Sequence, residues 1–448
     1  MRFSVFAVLG GSAATVAFLL HPSSALAALD AEASYVLNSF SFLIWGALVM
    51  WMCAGFTMLE SGSVRTKNAS VICLKNIGLY SIAGLMFYLV GYNLMYVDVS
   101  GWIGSLKLTY GVTTDEIALL GGDSSVAPAV LDKGYSTMSD WFFQMVFVAT
   151  TASIVSGTLA ERVNLWSFFV FIIALTGFIY PVVGAWTWGG GWLSEMGFQD
   201  FAGSTIVHST GGWAALAGAI IVGARTGKFR DDGSVKTTPP SNVPVVTLGV
   251  FILWLGWFGF NGGSQLALAG ATDAIAISVI LSNTNLAAAA GVLFAIVLSR
   301  PVLGRVDLLA GLNGAIAGLV AITAGPDIVN HNWAIIIGGV GGIVCLFGMK
   351  FMEIIKVDDV VGAVPAHLFA GIWGTLAVCI AAGGNLFVQI VGVFAIGVFV
   401  FGISTVVWYI ISKTMGARVA PMIEELGQDA GELGIEAYPE FVLMPEDD

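Results

Sequence analysis

The residues with the clearest chemical potential are His208 and His367, which occupy the same place in two copies of one sequence pattern. Both copies read D-x2-G-x4-H-x3-G, the first beginning at Asp200 and the second at Asp359. The chain has only four histidines, and each copy opens a long apolar stretch. An ionisable residue within a membrane-spanning stretch indicates a functional site. Its repetition predicts that two halves of the chain meet at one site.

Two buried histidines can share a proton. If the Nδ1 atom of one ring donates to the Nδ1 atom of the other, both tautomers are fixed. The outer ring nitrogens can then relay protons or accept hydrogen bonds. Burial disfavours the charged imidazolium, so we expect both rings to be neutral. Such a pair suits a small polar molecule that must cross a dry region. The alternative is that each histidine only hydrogen-bonds one helix to another.

The two aspartates of the pattern have a simpler explanation, because each can cap the N-terminus of its helix. For Asp359, which we expect at the inner face, we prefer the helix cap. For Asp200, which we expect at the outer mouth, a supporting electrostatic role is equally open.

The elements that hold these residues are predicted to be membrane-spanning helices. Of the 448 residues, 57% are hydrophobic and only 10% are charged, and the mean hydropathy is +0.89. A soluble domain would carry charge on about a quarter of its residues. Apolar stretches of about 20 residues recur along the chain, as in transmembrane helices. The strands of a β-barrel would alternate apolar and polar residues instead. We therefore predict an all-α polytopic membrane protein.

Composition gives no sign of a cofactor, a metal or an enzyme. The net charge of −12 arises from acids in loops and in the C-terminal tail, so it does not indicate a cationic soluble partner. The four cysteines lie in or beside apolar stretches and show no disulfide framework. We find no metal-ligand spacing, no nucleophile with a base and no Gly-rich phosphate loop.

The N-terminus resembles a signal peptide covering residues 1–27. Arg2 is followed by a mostly apolar stretch over 3–20, and Ala25-Leu26-Ala27 suits cleavage after Ala27. The alternative is an additional helix that is not cleaved.

Eleven further apolar segments form the predicted membrane domain, 28–412. They are 40–61, 76–97, 141–160, 166–187, 204–224, 245–265, 273–299, 308–324, 334–352, 362–382 and 387–412. Helices 1–5 (40–224) and helices 6–10 (245–382) form two repeats, helix 11 follows, and 413–448 is a tail. Because five is an odd number, the second repeat is inverted relative to the first.

The basic residues orient these helices. If the helices alternate in direction, Lys107 and Lys133 fall on one side and fourteen other basic residues on the opposite side. Those fourteen are Arg65, Lys67, Lys75, Arg162, Arg225, Lys228, Arg230, Lys236, Arg300, Arg305, Lys350, Lys356, Lys413 and Arg418. Basic residues concentrate on the cytoplasmic side of membrane proteins. We therefore predict a multi-pass protein of the cell membrane with its N-terminus outside and its C-terminus in the cytoplasm.

This orientation places the two histidines near the membrane midplane. Asp200 enters helix 5 from outside, and Asp359 enters helix 10 from inside. Each histidine lies eight residues further along, roughly 12 Å at 1.5 Å per residue, in a hydrocarbon core about 30 Å thick. The two helices therefore bring His208 and His367 together from opposite faces.

Aromatic residues cluster around the same segments. Trp188 lies at the outer end of helix 4, Phe147 lies in helix 3, and Trp257, Phe260 and Ser264 follow one another along helix 6. A tryptophan face with a nearby hydroxyl can hold a small cation, for about 1–2 kcal/mol. For most of the tryptophans, an aromatic belt at the membrane interface is the simpler explanation.

Several blocks, in order along the chain, resemble the Amt branch of the Amt/Mep/Rh family of ammonium transporters. They are Gly55–Glu60, Val64–Asn68, Ser156–Arg162, Asp200–His208, Gly256–Ser264 and Asn313–Val320. The resemblance implies ammonium transport by a homotrimer with one pore in each subunit. A Rh-like ammonia or gas channel is the alternative within the family. Trp257 and Ser264, both in the block 256–264, favour the Amt branch.

The resemblance also implies roles for individual residues. Trp188 and Ser264, with Phe147 and Trp257 nearby, match the outer site that recruits ammonium, and Asp200 matches the acid that supports it. Phe147 and Phe260 match two stacked rings that close the pore. His208 and His367 match the twin histidines of the conduction path.

The tail matches the family only in part. Gly416 and Arg418 belong to a stretch that resembles the family's coupling motif, and Tyr438 belongs to one that resembles its end. Between them, 420–423 departs from the usual acidic stretch. A cytosolic PII-type regulator is the partner that the resemblance implies. A sensor that signals through the tail is a further alternative, although no kinase or cyclase domain follows residue 413.

Overall fold

The computed structural model describes residues 29–441, in which the regular structure is helical apart from two isolated β-bridges. Within that range, ten helices are long and apolar enough to span a membrane, and an eleventh apolar helix is shorter. The predicted signal peptide, 1–27, lies outside the described residues. The prediction of an all-helical membrane protein with eleven helices is therefore confirmed for the described part of the chain.

We number these helices α1–α11 in chain order. They are α1 Ala31–Ser63, α2 Thr66–Tyr96, α3 Thr137–Thr158, α4 Leu165–Trp186, α5 Ser204–Val222, α6 Val243–Gly263, α7 Ala271–Leu303, α8 Leu308–Ile322, α9 His331–Ile354, α10 Val364–Ala382 and α11 Leu386–Thr414.

The predicted start of α2 at residue 76 was wrong by ten residues. Lys75 appeared to mark the inner boundary of the membrane, but its side chain is buried inside the bundle. Its Nζ atom donates a hydrogen bond of 2.8 Å to the carbonyl of Ser156 and lies 5.1 Å from the ring centre of Phe168. A lysine with partners on neighbouring helices does not end a helix, so α2 extends back to Thr66.

The outer segment between α2 and α3 is more ordered than a loop over 98–140. It contains the short helices Thr114–Leu120 and Ala127–Asp132. The first has a capping box, in which Thr113 and Glu116 satisfy each other's backbone N–H groups. Since α3 then begins at Thr137, Asp140 belongs to its first turn.

The two predicted repeats pack against each other through equivalent helices. The first helices of the repeats, α1 and α6, share the most extensive contact in the fold. Their last helices, α5 and α10, also touch, and both begin with a π-helical turn, over Ser204–Ser209 and Val364–Phe369. Helix α3, buried along most of its length, packs against α5. The two histidines are thus placed at the junction of the halves.

Candidate transport pathway

The aspartates of the repeated pattern fix the starts of α5 and α10. The carboxylate of Asp200 accepts hydrogen bonds of 2.7 to 3.1 Å from the four backbone N–H groups of 203–206. The carboxylate of Asp359 accepts two, from Gly362 at 3.1 Å and Val364 at 2.7 Å. Both residues are therefore helix caps, as the sequence suggested.

The first glycine of each pattern permits the turn that precedes the helix. Gly203 has φ of +108° and Gly362 has φ of +79°, a backbone conformation that residues with a Cβ atom rarely adopt. The last glycine of each pattern lets α5 and α10 touch. A Cβ atom on Gly371 would lie 2.3 Å from the Ser204 carbonyl oxygen, and one on Gly212 would lie 2.6 Å from Leu368. These four glycines thus allow the turns before α5 and α10 and the close crossing of the two helices.

At this crossing, the Nδ1 atoms of His208 and His367 lie 3.2 Å apart. The ring centres are 5.3 Å apart, and the residues are 0% and 3% exposed. One Nδ1 must carry the proton and the other must accept it. The Nε2 atom of His208 has no hydrogen-bond partner among the described residues. The pair therefore presents an outer nitrogen that is free to meet a small polar molecule.

Two buried phenylalanines lie on the side of the histidines that the sequence predicts to be the outer side. The ring centres of Phe147 and Phe260 are 4.2 Å apart, with an angle of 37° between the ring planes. Phe260 lies 5.2 Å from the ring of His208. Both side chains are almost fully buried. The structure therefore places an apolar barrier next to the histidine pair.

Outside this barrier is a cavity of about 440 Å³, which we call the outer vestibule. Trp188, Phe147 and Ser264 line it. The ring of Trp188 stands perpendicular to that of Phe147 at 6.0 Å, and its Nε1 atom donates a 3.0 Å hydrogen bond to the backbone carbonyl of Asp200. Trp188 is therefore held by the backbone of Asp200, whereas the carboxylate of Asp200 caps α5. The hydroxyl of Ser264 donates to the Phe260 carbonyl at 2.8 Å, which leaves its oxygen lone pairs as acceptors.

Trp257 does not lie where the sequence placed it. It is fully buried, its Nε1 atom donates a 2.8 Å hydrogen bond to Thr323, and its ring stacks on His208 at 4.9 Å. The vestibule lining does not include it. The reason is helical rise, since Trp257 precedes Ser264 by seven residues, or about 10 Å along α6. Trp257 therefore packs beside the histidine pair and not at the recruitment site.

Two cavities lie on the opposite side of the histidine pair from the vestibule, which the sequence predicts to be the inner side. A small cavity of about 10 Å³ lies between His367, Phe56 and Glu60. An inner cavity of about 160 Å³ is lined by Asp359 and Asn313, and Asn313 also borders the small cavity. Cavities therefore lie on both sides of the histidine pair.

Glu60 borders the small cavity and was not singled out by the pattern analysis. It is buried in α1, where its Oε2 atom accepts hydrogen bonds from Ser156 at 2.6 Å and Asn76 at 3.2 Å. An acid within a long apolar helix was the available signal. Its position beside His367 could not be read from the chain, because the two residues are more than 300 positions apart.

Comparison with known proteins identifies the family. The sequence model of the Ammonium Transporter Family matches residues 40–438. The chain belongs to this family. It is 38% identical over 432 residues to ammonium transporter Amt2 of Archaeoglobus fulgidus, covering 89% of this chain and 88% of that protein. It is 34% identical over 417 residues to the ammonium transporter of Bacillus subtilis, covering 89% of this chain and 97% of that one.

Solved structures of the same family share the fold. A structure described as a sensor Amt protein superposes with a TM-score of 0.81 at 35% identity, covering 90% of this chain and 99% of that chain. Candida albicans Mep2 superposes with a TM-score of 0.77 at 25% identity, covering 92% and 93%. The family resemblance stated from the sequence is therefore confirmed.

An ionic network joins the C-terminal ends of α3 and α5 in this member of the ammonium transporter family. Arg225 bonds to Asp358 at 2.8 Å and to Glu161 at 3.1 Å, and both carboxylates are buried. Burial raises the pKa of Asp358, but the hydrogen bonds and charge of Arg225 outweigh this effect and lower the pKa to about 2. Both acids are therefore ionised at neutral pH, and the network ties α3 and α5 to the segment that enters α10. The sequence analysis missed Glu161 and Asp358 because their only signal was an acid beside a helix end.

The tail of this family member docks on the inner helix ends. The carbonyl of Gly416 accepts a 2.8 Å hydrogen bond from Ser167. Arg418 donates to the Ala224 carbonyl at 2.7 Å and pairs with Glu424 at 2.7 Å. The segment 420–423, which departs from the family pattern, leads into the short helix Pro421–Leu426. Tyr438 is 46% exposed. Gly416 and Arg418 therefore anchor the tail although 420–423 diverges.

Proposed function

We propose that this protein carries ammonium across the cell membrane by binding the cation in the outer vestibule and conducting ammonia past the histidine pair. The observation that carries the proposal is an uninterrupted line of rings from the outer vestibule to the small cavity beside His367. Neighbouring ring centres are 6.0, 4.2, 5.2 and 5.3 Å apart from Trp188 through Phe147, Phe260 and His208 to His367. This line is apolar at the two phenylalanines and ends in the ring nitrogen atoms of the histidines.

Recruitment depends on the aromatic faces and the hydroxyl of the vestibule. Ammonium placed against Trp188 and Phe147 is attracted by their ring electrons, and its N–H groups can donate to Ser264. A cation–π contact of this kind contributes about 0.5–2 kcal/mol, depending on desolvation. The site selects a cation that can also donate hydrogen bonds, which potassium cannot do.

The two phenylalanines oblige the ion to lose its charge. Placing an unpaired charge in a dry apolar layer costs several kcal/mol. Ammonium that deprotonates in the vestibule can pass as ammonia, a neutral molecule. Beyond the rings, one histidine offers an acceptor and the other a donor at its outer nitrogen, if both are neutral and share one Nδ1 proton. Ammonia can match both roles.

The decisive experiment measures ionic currents and ammonia flux on proteoliposomes that contain the purified protein. An ammonium-dependent current that potassium does not produce, changing with external pH, supports transport of net charge. Rapid ammonia flux without current supports electroneutral conduction, as in a Rh-like channel. If protein-containing and empty vesicles give equal fluxes, the proposal is wrong.

The remaining assignments extend this proposal to the whole assembly. We place the N-terminus outside and the C-terminus in the cytoplasm, and we expect a homotrimer with one pore in each subunit. A PII-type protein is the regulator expected at the docked tail. Protease accessibility of the tail in sealed right-side-out vesicles tests the orientation, since a cytoplasmic tail should be cleaved only after the vesicles are opened.

A second candidate function is ammonium sensing, supported by the contact between the tail and α5. Arg418 donates to the carbonyl of Val222, the last residue of the helix that carries His208. Movement of α5 on substrate binding would reach the tail directly. Hydrogen exchange of residues 416–426 with and without ammonium tests this candidate, because a pure transporter predicts equal protection.

A further inference from the structure

The wall of the outer vestibule contains an acid that the pathway described above does not use. Asp140 lines the vestibule, yet its side chain is largely withdrawn from solvent, since the residue is only 8% exposed. It belongs to the first turn of α3. A buried carboxylate needs hydrogen bonds or a counter-charge to stay ionised.

Asp140 lies on the same face of α3 as the phenylalanine barrier. Residues at positions i, i+4 and i+7 share one face of a helix, and Asp140, Gln144 and Phe147 have this spacing. All three line the vestibule. Seven residues correspond to about 10 Å, so Asp140 lies roughly that far outside Phe147. A cation moving from the outer water to the barrier therefore passes Asp140 first.

Tyrosines of α2 hold this carboxylate in place. The hydroxyl of Tyr92 donates a hydrogen bond to Asp140. One turn further along, the hydroxyl of Tyr96 donates to Gln144 at 2.8 Å. The ring of Tyr92 also stacks on Tyr110 at 3.8 Å. The carboxylate is thus fixed by neutral donors, and its negative charge is not cancelled by them.

No basic side chain neutralises Asp140 within the described residues. Over 29–440, no lysine, arginine or histidine nitrogen lies within the 4.0 Å of an ion pair with it. Lys133 lines the same vestibule, but its Nζ atom donates to Thr137 at 3.0 Å and lies 5.7 Å from the ring centre of Tyr135. The vestibule therefore contains one negative and one positive group that do not pair directly.

We propose that Asp140 is a cation-binding residue of the outer vestibule, whose carboxylate attracts ammonium or a small alkylammonium ion into the vestibule and holds it before it reaches Trp188 and Ser264. Lys133 opposes this attraction from the same wall. The inference rests on the proposed function, because it assigns a role in the uptake of that cation. A helix cap alone explains neither the position of Asp140 in the vestibule wall nor its anchoring by Tyr92.

The test measures methylammonium uptake by proteoliposomes as a function of substrate concentration. Asp140→Asn keeps the shape of the side chain and removes its charge. We expect KM to rise about fivefold, which corresponds to one unit-charge interaction of about 1 kcal/mol near water, with the maximal rate little changed. Lys133→Gln should shift KM in the opposite direction. Asp132→Asn is the matched control, since Asp132 is an exposed neighbouring acid that does not line the vestibule.

The outcomes separate this inference from the proposed function. If the wild-type protein transports no methylammonium or ammonium, the proposed function fails. If it transports normally and Asp140→Asn has the wild-type KM, only the role of Asp140 is overturned. A lower maximal rate with unchanged KM indicates a merely structural role. If Asp140→Asn does not fold, Lys133→Gln decides, because an unchanged KM in that variant contradicts an electrostatic vestibule.

Discussion

The Nδ1 atoms of His208 and His367 face each other at 3.2 Å across the junction of two inverted repeats. The same pattern of aspartate, glycine, histidine and glycine produces both sides of this contact. Each aspartate caps its helix, and each final glycine admits the other helix at close range. The contact is therefore a consequence of the repeat, because the aspartate caps and the glycines position both helices that carry the histidine rings.

Recruitment at the outer vestibule predicts that Trp188→Leu and Ser264→Ala weaken ammonium binding. The first removes a cation–π contact, and the second removes a hydrogen-bond acceptor for the cation. We expect KM for methylammonium to rise about two- to thirtyfold for Trp188→Leu and about tenfold for Ser264→Ala. Initial uptake rates at a series of substrate concentrations provide the measurement.

Matched controls for these variants lie among the exposed residues on the perimeter of the helix bundle. Trp166 and Ser278 are exposed residues distant from the vestibule lining. Trp166→Leu and Ser278→Ala should leave KM unchanged. Equal effects of the control and vestibule variants would show that the loss reflects folding and not cation binding.

The caps of the two repeats should differ in strength. Asp200→Ala removes the acceptor of four backbone N–H groups, whereas Asp359→Ala removes the acceptor of two. Loss of a helix cap lowers the free energy of unfolding by about 0.5–2 kcal/mol. We expect Asp200→Ala to lie at the upper end of this range and Asp359→Ala below it. Thermal unfolding in detergent checks the order, and the reverse order would contradict the stronger cap.

The close crossing of α5 and α10 predicts that Gly371→Ala is destabilising. Its Cβ atom would lie 2.3 Å from a backbone oxygen of Ser204, which cannot move without shifting the helix. Overpacking of this kind lowers stability by about 1–3 kcal/mol. Gly402 in α11 is the control, because a Cβ atom there meets no neighbouring atom within 4 Å. Gly402→Ala should therefore be neutral or slightly stabilising in thermal unfolding.

The inner ionic network predicts a large effect for Asp358→Asn. This change leaves the buried guanidinium of Arg225 without its closest charged partner. Removing one member of a buried pair lowers the free energy of unfolding by about 3–5 kcal/mol. Glu353→Gln is the control, since its pair with Lys350 is exposed and such pairs contribute about 0–1 kcal/mol. Chemical unfolding of both variants provides the comparison.

The same network has a defined pH dependence. The folded protein holds the pKa of Asp358 at about 2, below its ordinary value of 3.8. A depressed pKa stabilises the folded state above the ordinary value, and this contribution is lost as pH falls through the folded value. The stability difference between wild type and Asp358→Asn should therefore shrink between about pH 4 and pH 2. A difference that stays constant over this range would exclude the ionised carboxylate as its source.

Much of the fold and the line of pore residues could be predicted from the sequence. The number of long apolar segments predicts the number of helices. Because each repeat has an odd number of helices, the second repeat is inverted in the membrane relative to the first. The meeting of His208 and His367 followed from these two facts with the helical rise. The sequence pointed to Phe147, Phe260, Trp188 and Ser264 as aromatic residues and a hydroxyl near the same segments. Their separate roles came only from the family resemblance, since aromatic residues are common at membrane interfaces.

The remaining features depend on contacts between distant parts of the chain. In the sequence, Lys75 resembles a charge at the membrane boundary, and only its hydrogen bond to α3 shows that it is buried in the bundle. Trp257 resembles a vestibule residue, and only its position along α6 shows that it lies beside the histidines. Asp140, Glu60 and Asp358 are isolated acids in the sequence. Only packing shows that one lines the vestibule, one borders the small cavity below His367, and one pairs with Arg225.

The central claim is that the paired histidines conduct ammonia beyond the two phenylalanines. The most direct measurement compares ammonium and potassium currents, together with ammonia flux, in proteoliposomes with wild-type protein and with the His208→Ala, His367→Ala double variant. The account predicts that the double variant either loses ammonium transport or admits potassium, because the shared proton and the outer nitrogens are gone. Unchanged ammonium transport with unchanged exclusion of potassium would contradict it.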